Sequence, residues 1–232
     1  ANQWRSNESW PPKGTKPLRL YLDSGGDANS LNGGGRLVAA APATDTPDRF
    51  RYDPMNPVPT VGGGDCCNGG IVIPGAFDQR GVEIRDDVLV YSTEPLTEAI
   101  EVSGFVDALL NVSSSAPDTD FAVKLVDVAP DGTAWIIGDT IFRARYRDGF
   151  DKPAMMRPGE VYPIKPSPIA TSIRFGVGHR IRIEVTSSNF PKFVRNLNTG
   201  GPNERESKGV VATNSIHHAP GRLSYVELPV VR

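Results

Sequence analysis

Catalytic machinery of the familiar kinds is missing from these 232 residues. No G-x-S-x-G elbow occurs, and Ser24 and Ser103 lack the flanking glycines that would expose a nucleophile on a sharp turn. Histidine is scarce. Only His179, His217 and His218 can supply the base of a Ser–His–Asp arrangement. His179 follows Gly178 at a strand start, where a structural hydrogen bond is expected. His217 and His218 precede Pro220 in an apparent turn, where solvation or a bond to a nearby carbonyl is expected. No H-x-x-x-H and no C-x-x-C is present to hold zinc. Gly33–Gly35 and Gly62–Gly64 are not followed by Lys-Ser/Thr or by a helix, so neither makes a phosphate loop. Asp118 and Asp120, in PDTD, offer oxygens that suit calcium, but capping of turn amides is their ordinary use. No cofactor and no metal is expected.

Other scarcities narrow the class further. The only cysteines, Cys66 and Cys67, are adjacent, and neighbouring Cα atoms about 3.8 Å apart fall below the usual disulfide range of roughly 4.4–6.8 Å, so a bridge between them would be strained. Two free thiols fit a reducing, cytoplasmic compartment. Twenty-five basic against 27 acidic residues leave a net charge of −2, with no electrostatic pull toward nucleic acid or an anionic membrane. No apolar run approaches the roughly 18 residues of a membrane span. The opening ANQWRSNESWPPKGTK is polar and aromatic, unlike a secretory leader.

Strand patterning is abundant. Period-2 alternation marks Leu18–Leu22, Ala99–Val102, Phe121–Val128, Ile141–Tyr146, His179–Val185 and Tyr225–Val230. Asp87–Tyr91 and Phe105–Val112 are more continuously apolar, as strands covered on both faces are. Turns fall at Pro130–Gly132, Arg157–Gly159 and Pro220–Gly221. With 24 Gly and 21 Pro there is little room for helix. The expectation is an all-β fold of about ten strands, a jelly-roll β-sandwich with long irregular loops, forming a single domain over residues 1–232.

Two stretches are too long for hairpins, Arg51–Arg80 and Asn189–Ser215. Within Val177–Gly201 an alternating strand hands over to a polar loop, the kind of place where contact residues sit. Loop aromatics (Trp10, Phe50, Tyr52, Phe77, Phe190, Phe193) favour packing against a partner. Asp78-Gln79-Arg80 places a guanidinium beside a carboxylate, a pairing that orients loops when partly buried. Arg85-Asp86-Asp87 repeats it as a surface charge cluster of modest value. Phe190-Pro191 and Asn196-x-Asn198-Thr199-Gly200 are assigned an interface or scaffold role.

Four segments, in order, carry a resemblance: RYDPMNPVPTVGG, FDQRGVEIRDDVLVYSTEPL, SSSAPDTDFAVKLVDVAPDGTAWIIGD and GHRIRIEVTSSNFPKFVRNLNTGG. From about Trp4 to Val230 the chain resembles the C-terminal region of cocaine-esterase-like hydrolases and X-Pro dipeptidyl-peptidases, the CocE/NonD group. The resemblance implies a parent with an α/β-hydrolase core and helical cap that carry the Ser, Asp and His, and a C-terminal jelly roll packed on both. The family's triad matches no residue here, so the catalytic set in this chain is empty. The partner implied is the α/β-hydrolase catalytic domain of the same parent, and an uncovered interface could also drive homo-oligomer formation. In relatives the loop after PVPT-x-GG approaches the substrate's acyl part, which implies Asp65, Cys66 and Cys67 as a pocket wall; the competing role for the thiols is to fill the domain interface.

Two other functions compete with the accessory domain. A carbohydrate- or ligand-binding sandwich would use exposed aromatics, with Trp4 and Trp10 as the candidates. An autonomous hydrolase would need His217 or His218 as its base.

Overall fold

The computed structural model of the protein describes residues 4–43, 46–64 and 70–231. The all-β class expected from the alternation is what forms. In chain order the strands are β1 (Lys16–Asp23), β2 (Arg36–Val38), β3 (Asp48–Tyr52), β4 (Leu89–Ser92), β5 (Ile100–Ser114) and β6 (Asp120–Val128). They continue with β7 (Ala134–Arg143), β8 (Tyr162–Ile164), β9 (Ile169–Phe175), β10 (Arg180–Thr186), β11 (Ala212–His217) and β12 (Tyr225–Val231). One α-helical turn, α1 (Arg80–Glu83), interrupts the long segment between β3 and β4.

Hydrogen bonds join the strands in the order β3-β11-β5-β12-β1-β2-β4-β10-β6-β7, with β8 and β9 also paired to β5. Every pairing is antiparallel except the short β2–β4 contact. The alternating segment before Gly104 and the apolar one after it merge into one 15-residue strand, β5, that serves four neighbours along its length. β7, at one end of the path, lies against β9: a Cβ added to Gly138 would stand 2.4 Å from Ile169 Cγ2. The result is a β-sandwich.

Alternation builds its interior. Leu20 and Leu22 of β1, Leu89 and Tyr91 of β4, Phe121, Val123 and Leu125 of β6, and Ile181, Ile183 and Val185 of β10 all enter one core. Removing such side chains from water supplies most of the favourable folding free energy, at about 25 cal/mol per Å² of apolar surface. Every residue of β6 is buried, so this strand is covered on both faces. What covers its outer face positions the candidate site.

Candidate functional site

The inward residues of β4, β10 and β6 leave Val90 and Ser92, Arg182, Glu184 and Thr186, and Lys124 and Val126 on the other face of the sheet. A face carrying that much charge normally meets water. Here the segment between β3 and β4 lies across it, and Val58, Val82, Val88 and Val90 form a second apolar cluster with Val61 beside it. The charged side chains are thereby trapped. Lys124 Nζ sits 3.1 Å from Glu184 Oε2 and donates to Gln79 Oε1 at 3.1 Å. Arg182 donates from Nη1 to Glu83 Oε2 at 2.6 Å and from Nε to Ser92 Oγ at 2.8 Å. Burial, reinforced by the neighbouring Glu184 charge, pushes the Glu83 carboxyl up to about 7.

Gln79 connects this polar centre to the loop above. Its Nε2 donates to Val61 O at 2.9 Å and to Phe77 O at 3.1 Å, tying together the two arms of the loop. Beyond that clamp, Gly63 and Gly75 exchange backbone hydrogen bonds of 2.9 Å in both directions. Gly62 has φ +68°, and an added Cβ would lie 2.9 Å from the Phe77 ring, so a side chain there is opposed by conformation and by space. Beside the arms, Asp139 accepts from Lys192 Nζ at 2.8 Å and from Asn189 Nδ2 at 2.7 Å. Thr60 N donates to Phe190 O at 2.7 Å, joining the second long loop to the first.

Large apolar side chains stand outward along this joined rim. Ile71 is 69% exposed, Ile73 66% and Met55 58%, with Phe77, Phe190 and Val194 also exposed. Phe77 is joined to the sheet through Ile136 N, which donates to its carbonyl at 3.1 Å. Met55 is joined to the same rim through Arg195, which donates to Pro54 O at 3.0 Å. These exposed apolar side chains stand on the two long loops that the Thr60–Phe190 hydrogen bond joins. Asp65, Cys66 and Cys67 belong to the segment between these arms and lie outside the described residues.

Apart from Trp4, which is fully exposed, the remaining sequence candidates are held in structural bonds. His218 is not in a solvated turn, as its neighbours in sequence imply; it is wholly buried, 3.2 Å from Asp48 Oδ2. Ser24, His218 and Asp48 have triad chemistry but not triad geometry. Ser24 Oγ and Asp48 both face His218 Nε2, and Ser24 donates to Asp48 at 2.6 Å. A working base needs the hydroxyl and the carboxylate on opposite ring nitrogens. His217 ends β11, its Nε2 2.9 Å from Ser113 Oγ, and His179 Nδ1 lies 2.8 Å from Asp127. Asp118 accepts the Arg145 amide, as a turn-capping carboxylate does, but also its guanidinium at 2.8 Å. Asp120 takes Arg143, and Asn196 Nδ2 bridges both carboxylates. Trp10 packs edge-on against Phe105 at 4.8 Å. The central groups, Lys124, Glu184, Glu83 and Arg182, had no local signal, because alternation assigns the outer face of a strand to solvent.

A family model described as X-Pro dipeptidyl-peptidase C-terminal non-catalytic domain matches residues 1–227. Cocaine esterase of Rhodococcus sp. (strain MB1 Bresler) is 45% identical over 233 residues, covering 100% of this chain and 40% of that protein. The crystal structure of an aminopeptidase from the marine sediment archaeon Thaumarchaeota archaeon aligns with a TM-score of 0.83 at 29% identity, over 100% of this chain and 39% of that one. An α-amino acid ester hydrolase aligns with a TM-score of 0.79 at 29% identity, over 92% and 36% respectively. The chain therefore spans about two-fifths of the length of the relatives it matches.

Proposed function

Because the chain belongs to the X-Pro dipeptidyl-peptidase C-terminal non-catalytic domain family, we propose that it is the single accessory domain of a larger serine hydrolase acting on ester or X-Pro peptide bonds. On this reading it docks on an α/β-hydrolase domain of the same parent and helps close that domain's substrate pocket. The exposed apolar rim at Met55, Ile71, Ile73, Phe77 and Phe190 carries the proposal. The two loops that form it are the longest irregular segments of the chain, and they are bonded to each other rather than left free. Two further observations support it: relatives at least twice as long, and a Ser–His–Asp grouping in which hydroxyl and carboxylate meet the same ring nitrogen.

Asp65, Cys66 and Cys67 are proposed as the part of the loop that faces the pocket, since in sequence they fall between Gly63 and Gly75, which exchange backbone hydrogen bonds. The thiols fit a reducing, cytoplasmic setting, which is part of the same proposal. The test is hydrolysis of a chromogenic ester and an X-Pro-p-nitroanilide by the purified chain, by the parent's hydrolase portion, and by the two combined. Silence of the chain alone with a gain on mixing is expected. Activity of the chain alone that survives repurification overturns the reading. For the pocket wall, Cys66→Phe in the full-length enzyme is expected to change preference across an acyl-length series; unchanged kinetics would remove that part.

A further inference from the structure

The polar centre beneath the loop contains more acceptors than the surrounding donors satisfy. Arg182 occupies Glu83 Oε2, and the Lys124 ammonium stands against Glu184 Oε2. Glu83 Oε1 and both Glu184 oxygens are buried and receive no hydrogen bond from the protein, Lys124 meeting Oε2 only as an ion pair at 3.1 Å, although the two carboxylates lie within hydrogen-bonding reach of each other. Two ionised carboxylates cannot both keep bare oxygens in a buried site without a large cost. A proton on one of them turns a repulsive contact into a hydrogen bond.

We propose that Glu83 and Glu184 hold one proton between their facing carboxylates, and that releasing it loosens the loop base at Val61 and Phe77 by drawing Lys124 from Gln79 toward Glu184. The route is short and continuous. Lys124 divides its ammonium between Glu184 and Gln79 Oε1, and the other end of the Gln79 amide holds Val61 O and Phe77 O. With the proton in place, one carboxylate charge faces the two cations Lys124 and Arg182. When it passes to solvent, a second charge appears and Lys124 is pulled more strongly to Glu184.

The charged groups about the pair are few. β10 supplies Arg182 and Glu184, β6 supplies Lys124, and β4 contributes only the Ser92 hydroxyl. On the helical turn, Arg80 is turned to solvent and joined to Asp78 at 2.6 Å; just after it, Arg85 is joined to Asp87 at 2.7 Å. Burial and the Glu184 charge raise Glu83 toward neutrality, in keeping with a shared proton. That the loosened loop is also a docking rim rests on the function proposed above; the proton and its coupling to the loop do not.

The experiment is therefore made on this chain alone. Glutamate side-chain carboxyl carbons are followed by NMR from pH 4 to 9, together with amide exchange at Gly63, Gly75 and Ile136, whose N–H groups close the loop base. The Glu83 carboxyl signal is expected to move near neutral pH. Protection of the three amides, corrected for intrinsic exchange, is expected to fall several-fold across the same step. Glu83→Gln should abolish both effects, since its amide supplies the hydrogen at every pH, and Glu184→Gln provides the same test if the first variant does not fold. Titration of every glutamate in the ordinary acidic range overturns the proposal, as does protection that ignores the step or a step that persists in both variants.

Discussion

Tyr91 donates its hydroxyl to Asp48 Oδ2 at 2.7 Å in the wholly buried core, and Asp48 gathers three further donors around it. Ser24 Oγ and the Ala28 amide bind Oδ1, and His218 Nε2 approaches Oδ2. One carboxylate thus fixes the end of β1, the start of β3, β4 and the segment after β11. Burial works to raise the Asp48 carboxyl, but hydrogen bonds from His218, Ser24, Ala28 and Tyr91 outweigh it and hold the group below its ordinary value.

Asp48→Asn is therefore expected to destabilise the chain by about 3 kcal/mol, because an amide NH2 would replace one of the two oxygens that these four groups share. The sign of the pH dependence follows from the lowered carboxyl. The contribution of Asp48 is complete above the unfolded value of about 4 and is lost as pH falls through the folded one. Urea unfolding at pH 7 and in the acid range checks both parts. The gap between wild type and variant should be widest near neutrality and narrow in acid.

Lys124→Met should cost about 3–5 kcal/mol, because it leaves the Glu184 carboxylate buried without its cation. Adding Glu184→Gln should recover much of that loss, since a neutral amide no longer needs the ammonium. A double-mutant cycle from urea midpoints measures the coupling. Independent, additive losses would mean that the two side chains are not energetically linked.

Lys124 also marks the limit of what alternation discloses. FAVKLVDV identifies β6 and sends Phe121, Val123 and Leu125 inward correctly, yet the same rule puts Lys124 in water. Only the long segment laid over β6 from β3 to β4 reverses that, and no local pattern encodes its path. His218 escaped for a similar reason. Its neighbours Pro220 and Gly221 read as a turn, and the Asp48 that buries it comes from a distant strand. β11 was lost inside a polar stretch because Asn214 and Ser215 look like loop residues; Asn214 is buried, with Thr119 and Ser187 as partners. The exposed rim was better signalled, since Phe77 and Phe190 stood out as aromatics within irregular polar segments.

Gly138→Ala tests the approach of β7 to β9. The added methyl carbon would meet Ile169 Cγ2 at 2.4 Å, so one strand must shift or Ile169 must change rotamer. A loss of about 1–3 kcal/mol is expected from overpacking. Ile169→Ala in the same chain should relieve the clash, making the double variant more stable than the sum of the two single losses. Plain additivity in urea would show that the two strands are not in the close contact described.

Exposed apolar groups that serve a partner should be nearly silent in the isolated chain. Ile71→Ser and Ile73→Ser remove groups that lie largely in water, so each should change folding stability by no more than about 0.5 kcal/mol. Against the hydrolase portion the same variants should bind at least about tenfold more weakly, near 1.4 kcal/mol, because buried aromatic and aliphatic anchors carry much of an interface's free energy. Val177→Ser, equally exposed but on the turn between β9 and β10, is the control and should alter neither quantity. Titration calorimetry with the hydrolase portion separates the two sets of residues. Equal affinity for wild type and both rim variants would move the docking surface elsewhere on the sandwich, and weakening by Val177→Ser would place it at that turn.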